Sequence, residues 1–267
     1  MPDHDELFKE LIRNFLFEFL DLFMPPSFTC KMDRSFHVEL NTELPAALGP
    51  GKSNRTDLVF EIRNKQMKRS IVHIEVESSN DSKFAERMFF YYALLRKKYN
   101  LPVLPIAIFS FKNPLSLQSS RLDEEINGIK VASFEFQLIQ LNQLQWRDFL
   151  ELNNPIVSAL VSCMAYTEKE RLEVKLRCLC HLASKQLTPE KAKIIQRFSD
   201  SYLVLSTAEK TILKHRMTEL ELAQQEAIMT YLNSWERDGL ERTHRNDEKS
   251  SSSLTFAPIR FARQLFV

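Results

Sequence analysis

The sequence predicts an α/β fold, a mixed sheet flanked by helices and followed by a C-terminal α-helical region. Three observations carry this reading. Residues 55–62 and 71–78 alternate strictly between polar and apolar, as neighbouring strands do, because strand side chains repeat every two residues. Residues 102–110 form a nearly unbroken apolar run, the pattern of a strand buried on both faces of its sheet. Apolar residues at helical spacing precede, separate and follow these strands, an order that lays helices against a mixed sheet.

Taken in order, Asp3 or Asp5 can cap a helix that begins near Glu6. Leu7, Leu11, Phe15, Phe19 and Phe23 recur every four residues as one wide apolar stripe, and Pro25-Pro26 ends it. Residues 32–40 read as a short strand, closed by a loop over 44–54 that contains Gly49-Pro50-Gly51. The two alternating runs follow, joined across residues 63–69 as an antiparallel hairpin. A helix is expected over 83–99, with Phe84, Met88, Tyr91, Tyr92, Leu95 and Tyr99 on its core side. Residues 131–141 alternate again and read as one further strand.

After Asn154-Pro155 the pattern becomes helical. Thr167 and Glu170 form a capping box, Thr188-Pro189 opens another helix, and Thr207 is expected to cap a last helix running toward Trp235. The implied division is a first domain over 1–150, a helical region over 151–241 and an unstructured tail over 242–267. His181 and His215 stand isolated in the helical region and read as satisfied or exposed histidines.

Composition narrows the function classes. Of 267 residues, 44% are apolar and 27% charged, enough to build a sizeable core. Only 4 are glycine, and neither phosphate-binding glycine motif is present. The net charge of +1 gives no global attraction to nucleic acid, so DNA binding would rest on local patches. Cys30, Cys163, Cys178 and Cys180 form no CxxC pair, against a zinc site or a disulfide framework and in favour of a cytoplasmic protein. No apolar run approaches a membrane span, so no membrane partner is expected.

The residues most suggestive of chemistry are acidic. In Ile71-Val72-His73-Ile74-Glu75-Val76-Glu77, His73, Glu75 and Glu77 share one strand face, and Val72, Ile74 and Val76 the other. The hairpin can bring Asp57 to the same side. Clustered carboxylates are costly unless neutralised, and hard oxygen ligands suit Mg²⁺ or Mn²⁺. A solvated acidic face is the other reading of the same alternation.

Several phrases resemble a known family. Asp5-Glu6-Leu7-Phe8-Lys9-Glu10-Leu11, Thr56-Asp57-Leu58-Val59, His73 to Ser78, Arg87 to Tyr92, and Leu101-Pro102-Val103-Leu104-Pro105-Ile106 occur in the order seen in the Rpn-type recombination-promoting nuclease and transposase family. That family belongs to the PD-(D/E)XK superfamily, with its restriction-endonuclease-like fold. The resemblance covers roughly residues 5 to 115. It implies a metal-dependent DNA endonuclease linked to mobile elements, with Asp57 and Glu75 as ligands of Mg²⁺ or Mn²⁺; Glu10 matches a further carboxylate of such sites, with a surface glutamate as the other reading. Arg63, Lys65, Lys68, Arg69 and Lys83 are the DNA-backbone candidates, beside the reading of ordinary solvated loop charges. The superfamily usually has lysine where this chain has Glu77, and this family often glutamine. Glu77 is therefore expected as an extra ligand, with Lys83 or Arg87 supplying the positive charge; a site that no longer cuts is the alternative. A homodimer is compatible with all of this.

Overall fold

The structure, a computed structural model, describes residues 4–44 and 56–230. The chain opens with α1 (His4–Asn14), α2 (Leu16–Phe23) and the short α3 (Pro26–Thr29). β1 (Met32–Glu39), β2 (Leu58–Asn64) and β3 (Arg69–Glu77) follow, then α4 (Phe84–Tyr99) and β4 (Val103–Phe109). β5 (Arg121–Ile126), β6 (Ile129–Glu135) and β7 (Gln137–Gln140) come next. Then come α5 (Trp146–Leu150), α6 (Val157–Leu160), α7 (Arg171–Ala183), α8 (Pro189–Tyr202) and α9 (Thr207–Thr218), and a last helical stretch over 222–230.

The main sheet has the order β1-β2-β3-β4-β7. β1, β2 and β3 pair antiparallel, and β4 is parallel to both β3 and β7. It is thus a mixed sheet, and helices cover both faces. On one face Leu58, Phe60, Ile62, Val72, Ile74, Ile106 and Ile108 join a buried cluster with α1, α2 and α6 to α9. On the other, Val59, Ile71, Ala107 and Phe109 meet Phe84, Met88, Tyr91 and Leu95 of α4. Ile106, Ala107, Ile108 and Phe109 are all buried, so β4 has the two covered faces its unbroken apolar run implies.

The C-terminal helices belong to the same core as the first helix. Phe8 meets Phe198 edge-on with ring centroids 4.8 Å apart, and Phe198 stacks on Tyr202. The packing therefore runs unbroken past residue 150, where the sequence suggested a division. Truncating Phe8 or Phe198, both fully buried, would cost about 3–5 kcal/mol.

Local expectations needed correction in five places. The first apolar stripe is two helices, because the Asn14 side-chain amide donates to the Glu10 carbonyl and Phe15 leaves the helical conformation at φ −139°. Residues 131–141 are not one strand: β6 and β7 part at Phe136 and lie in different sheets. β5 was not anticipated; it pairs with β6 across the turn Asn127-Gly128. Ser206, not Thr207, caps α9, in a capping box with Glu209. Residues 219–221 interrupt the last helix, which resumes over 222–230. The expected tail at 242–267 lies outside the described residues. No helix among those described is long and apolar enough to cross a membrane.

Candidate active site

The acidic cluster forms at the open end of the β2–β3 hairpin. The register Leu58↔Ile74 places Asp57 directly before β2, alongside Glu75 of β3. Two crossed hydrogen bonds fix the pair. The Asp57 backbone N–H donates to Glu75 Oε1 at 2.9 Å, and the Val76 N–H donates to Asp57 Oδ2 at 2.8 Å. Alternation then does the rest: Val76 turns to the core face, while His73, Glu75 and Glu77 face the side that α4 covers.

Each carboxylate has a partner within the protein. Lys9 Nζ, reaching from α1, lies 3.0 Å from Asp57 Oδ1 and also pairs with Asp5 one turn earlier. His73 is fully buried and its Nε2 lies 2.8 Å from Glu75 Oε1; a carboxylate only accepts, so Nε2 carries the proton. His73 Nδ1 has no hydrogen-bond partner, and the ring lies edge-on to Tyr91 at 5.8 Å. Glu77 accepts from Arg87 Nη2 at 2.5 Å and from the hydroxyl and backbone N–H of Ser79. Arg87 bridges on to Asp81 and covers the Phe84 ring.

The electrostatics are dominated by burial. Burial, then the charge of Glu75, pushes the Asp57 carboxyl up to about 6, although the Val76 N–H and Lys9 pull the other way. The Tyr91 phenol is pushed up to about 12 by burial and by Glu75. Burial opposes the charges on Lys9 and Arg87, but hydrogen bonds to Asp5 and Asp57, and to Glu77, outweigh it and leave both cations more basic than usual.

The sequence-based candidates therefore divide. Asp57 and Glu75 are brought together, with Glu77 and Arg87 paired alongside. Glu10 is not part of the cluster: its carboxylate binds Arg197 of α8 at 2.9 Å, and Asp5 is the α1 acid beside Lys9. The hairpin cations are at the wrong end. β2 runs seven residues from Asp57 to the turn, about 23 Å at the usual strand rise. Arg63 is held there by Asp33 and lies over the Phe36 ring, and Arg69 is held by Glu61. Lys65 and Lys68 are exposed on the same turn. Lys83 is also exposed, but stands at the N-terminus of α4, near the cluster.

Lys9, Asp5, His73 and Tyr91 are the members that the sequence reading missed. Asp5 and Lys9 share a helix face in a phrase already singled out, but that spacing does not tell which way the face turns. His181 proves to be a buried bridge, bonded to Ser158 Oγ at 2.6 Å and to the Leu152 carbonyl at 2.9 Å. A groove of about 480 Å³ lined by Trp146, Arg147, Leu150, Arg177 and His181 contains none of the acidic cluster.

Two carboxylates of this kind suit Mg²⁺ or Mn²⁺, which take hard oxygen ligands and fill their remaining positions with water and substrate phosphate. Among the described residues, no group of three or more His, Cys, Asp and Glu side chains forms a metal-ligand set, and Glu77 is engaged by Arg87 instead. Comparison with known proteins finds no matching family model, no matching curated protein and no matching solved structure.

Proposed function

We propose that the chain is a PD-(D/E)XK-type nuclease of the Rpn kind, hydrolysing DNA phosphodiester bonds with Mg²⁺ or Mn²⁺ and tied to recombination or transposition. One observation carries the reading: Asp57 and Glu75, in the motif order of that superfamily, meet at the end of two paired strands, and the Asp57 charge is costly there. Asp57 and Glu75 would hold the ion, which supplies phosphate polarisation and a water of lowered pKa. The chain's own groups prepare the rest. The Val76 and Asp57 amides fix both carboxylates in place, and His73 orients Glu75 from within the core. Lys9 is the cation nearest Asp57, so it takes the charge-balancing role that a lysine at position 77 would otherwise fill. Arg87 is committed to Glu77 and Asp81, which leaves Lys83 as the exposed cation on that side for a DNA phosphate.

A second reading has its own support. Asp57, Glu75 and Glu77 are each matched by an internal partner, Lys9, His73 and Arg87, as in a silent nuclease-like domain that binds DNA or a protein. Nicking of supercoiled plasmid separates the two. A nuclease nicks only with Mg²⁺ or Mn²⁺ and loses the activity in Asp57→Ala; wild-type protein that nicks with neither ion leaves the silent domain as the reading.

A further inference from the structure

The segment between β4 and β5, residues 110–120, has no regular secondary structure, yet its backbone is held nearly residue by residue. Three amide side chains at and just after the end of β7 hold it. Asn142, which is buried, donates to the carbonyls of Phe111, Lys112 and Pro114 at 3.0–3.2 Å. Gln140, also buried, donates to the Ser116 carbonyl at 3.0 Å and accepts from the Gln118 N–H at 2.9 Å. Gln143 donates to the Leu115 carbonyl. Surface loops usually leave such carbonyls to water; here they meet protein amides that are themselves linked, Gln140 donating to Asn142 Oδ1 at 2.9 Å. The loop is therefore a fixed shape, and what that shape holds out into water is Leu115 and Leu117, 64% and 75% exposed.

The loop leaves the sheet beside the acidic cluster. β4 is the strand next to β3, and the Ser110 N–H, the first of the loop, donates to the Glu77 carbonyl at 2.9 Å. Residues 110–120 contain no acid, and Lys112 is exposed among serine, asparagine and glutamine side chains, a surface that accepts phosphates without repulsion. Two leucines fall far short of the about 1,200–2,000 Å² that a stable protein interface buries. They do match the apolar wedges that enter duplex DNA between base steps and kink it.

We propose that residues 110–120 are a substrate-positioning loop: Leu115 and Leu117 press between base steps of duplex DNA beside the cut, and Lys112 holds a flanking phosphate. The kink turns the neighbouring phosphate toward Asp57 and Glu75. Asn142 and Gln140 are positioning residues, because a wedge acts only if its backbone does not give way. The proposal rests on the nuclease reading for its substrate, but uses neither of the carboxylates that would hold the ion.

The test is binding of the full chain to a short duplex labelled at both ends, with energy transfer between the labels reporting the bend, in EDTA and over a range of salt. Wild type should bind and draw the ends together. Leu115→Ser/Leu117→Ser should weaken binding about tenfold and abolish the bend, leaving the salt dependence as in wild type. Lys112→Ala should keep the bend and lower the slope of log affinity against log salt by about 0.9. Thermal melts check folding, and if the double variant melts low the two single leucine variants decide. A wild type that binds no duplex, as expected were the loop built for a protein partner, overturns the proposal. So does binding without a bend, or a bend that survives the loss of both leucines. Plasmid nicking keeps the two readings apart: bending through the leucines without nicking removes the nuclease and leaves the wedge, whereas nicking unaffected by the leucine variants removes the wedge and leaves the nuclease.

Discussion

Asp57→Asn should stabilise the protein at neutral pH while abolishing any metal-dependent activity. The Asp57 carboxyl rises from its ordinary 3.8 to about 6 on folding, chiefly through burial and then through Glu75. A carboxyl raised in this way binds a proton more tightly when folded. Its contribution favours folding below the unfolded value, declines as pH rises toward 6, and is fully lost above it. About two pH units at 1.36 kcal/mol each give a penalty of about 3 kcal/mol at pH 7.5. The side chain is 19% exposed, so solvent screening removes little of this. Asparagine carries no charge, and its carbonyl oxygen can still accept from the Val76 N–H, but its amide faces Lys9 less favourably than a carboxylate does. The net gain should be about 1–3 kcal/mol, and at this chain length each kcal/mol moves Tm by about 2–4 °C. Thermal melts of wild type and Asp57→Asn between pH 4 and 8, without divalent ions, check this. The variant's advantage should be small near pH 4, grow toward pH 6 and then level. An advantage that does not change with pH, or a variant that melts below wild type at pH 7.5, refutes the reasoning.

Millimolar Mg²⁺ or Mn²⁺ should raise the wild-type melt by mass action, by about 2.7 kcal/mol at about one hundred times the dissociation constant, and should leave Asp57→Asn/Glu75→Gln unmoved. Lys9→Met should destabilise by about 2 kcal/mol at neutral pH, since it strips Asp57 of its nearest cation, and should abolish plasmid nicking; an unchanged melt would remove Lys9 from the site. Arg69→Ala and Lys68→Ala should leave nicking at the wild-type level, because the hairpin turn lies about 23 Å from Asp57 along β2. Gly128→Ala should cost about 1 kcal/mol through its positive φ alone, since the space for a methyl group is open. That loss should be read in faster hydrogen exchange of β5 and β6.

What could be read beforehand was whatever depends on period and local chemistry. The alternation through Glu75 settled which side chains share a face, and the run through Ile106 and Ile108 settled which strand is buried on both sides. The Thr167 and Thr188 caps were legible because a cap is a contact within one turn. Helix phase was not. Nothing local says that α1 turns Asp5 and Lys9 to the sheet end and Glu10 to Arg197, because that choice is set by how α8 packs on α1 through Phe8 and Phe198. The position of Arg63 and Arg69 could have been deduced. Residues flanking a hairpin turn lie at its closed end, whereas Asp57 and Glu75 lie at the open one. β5 was hidden for a different reason: three consecutive acids obscure its alternation, although Asn127-Gly128 marks the hairpin.

The partners of Glu77 bear on what a glutamate can do at a place where the proposed superfamily usually has lysine. Its two oxygens are divided between Ser79 and Arg87, and Arg87 is in turn bound to Asp81 ahead of α4. Glu77 thus ties the end of β3 to the first turns of α4 and is not directed at Asp57. This end of the sheet is left with Asp57 directly before β2, Glu75 of β3, and the Asp5 and Lys9 pair of α1. Two of its carboxylates could hold Mg²⁺, and the lysine beside them, shared with Asp5, comes from the helix instead of the strand. A glutamate at position 77 therefore does not by itself decide against cleavage. Lys9, 3.0 Å from Asp57, is the group that an ion bound to Asp57 would have to displace or share, which is why its replacement tests the site most directly.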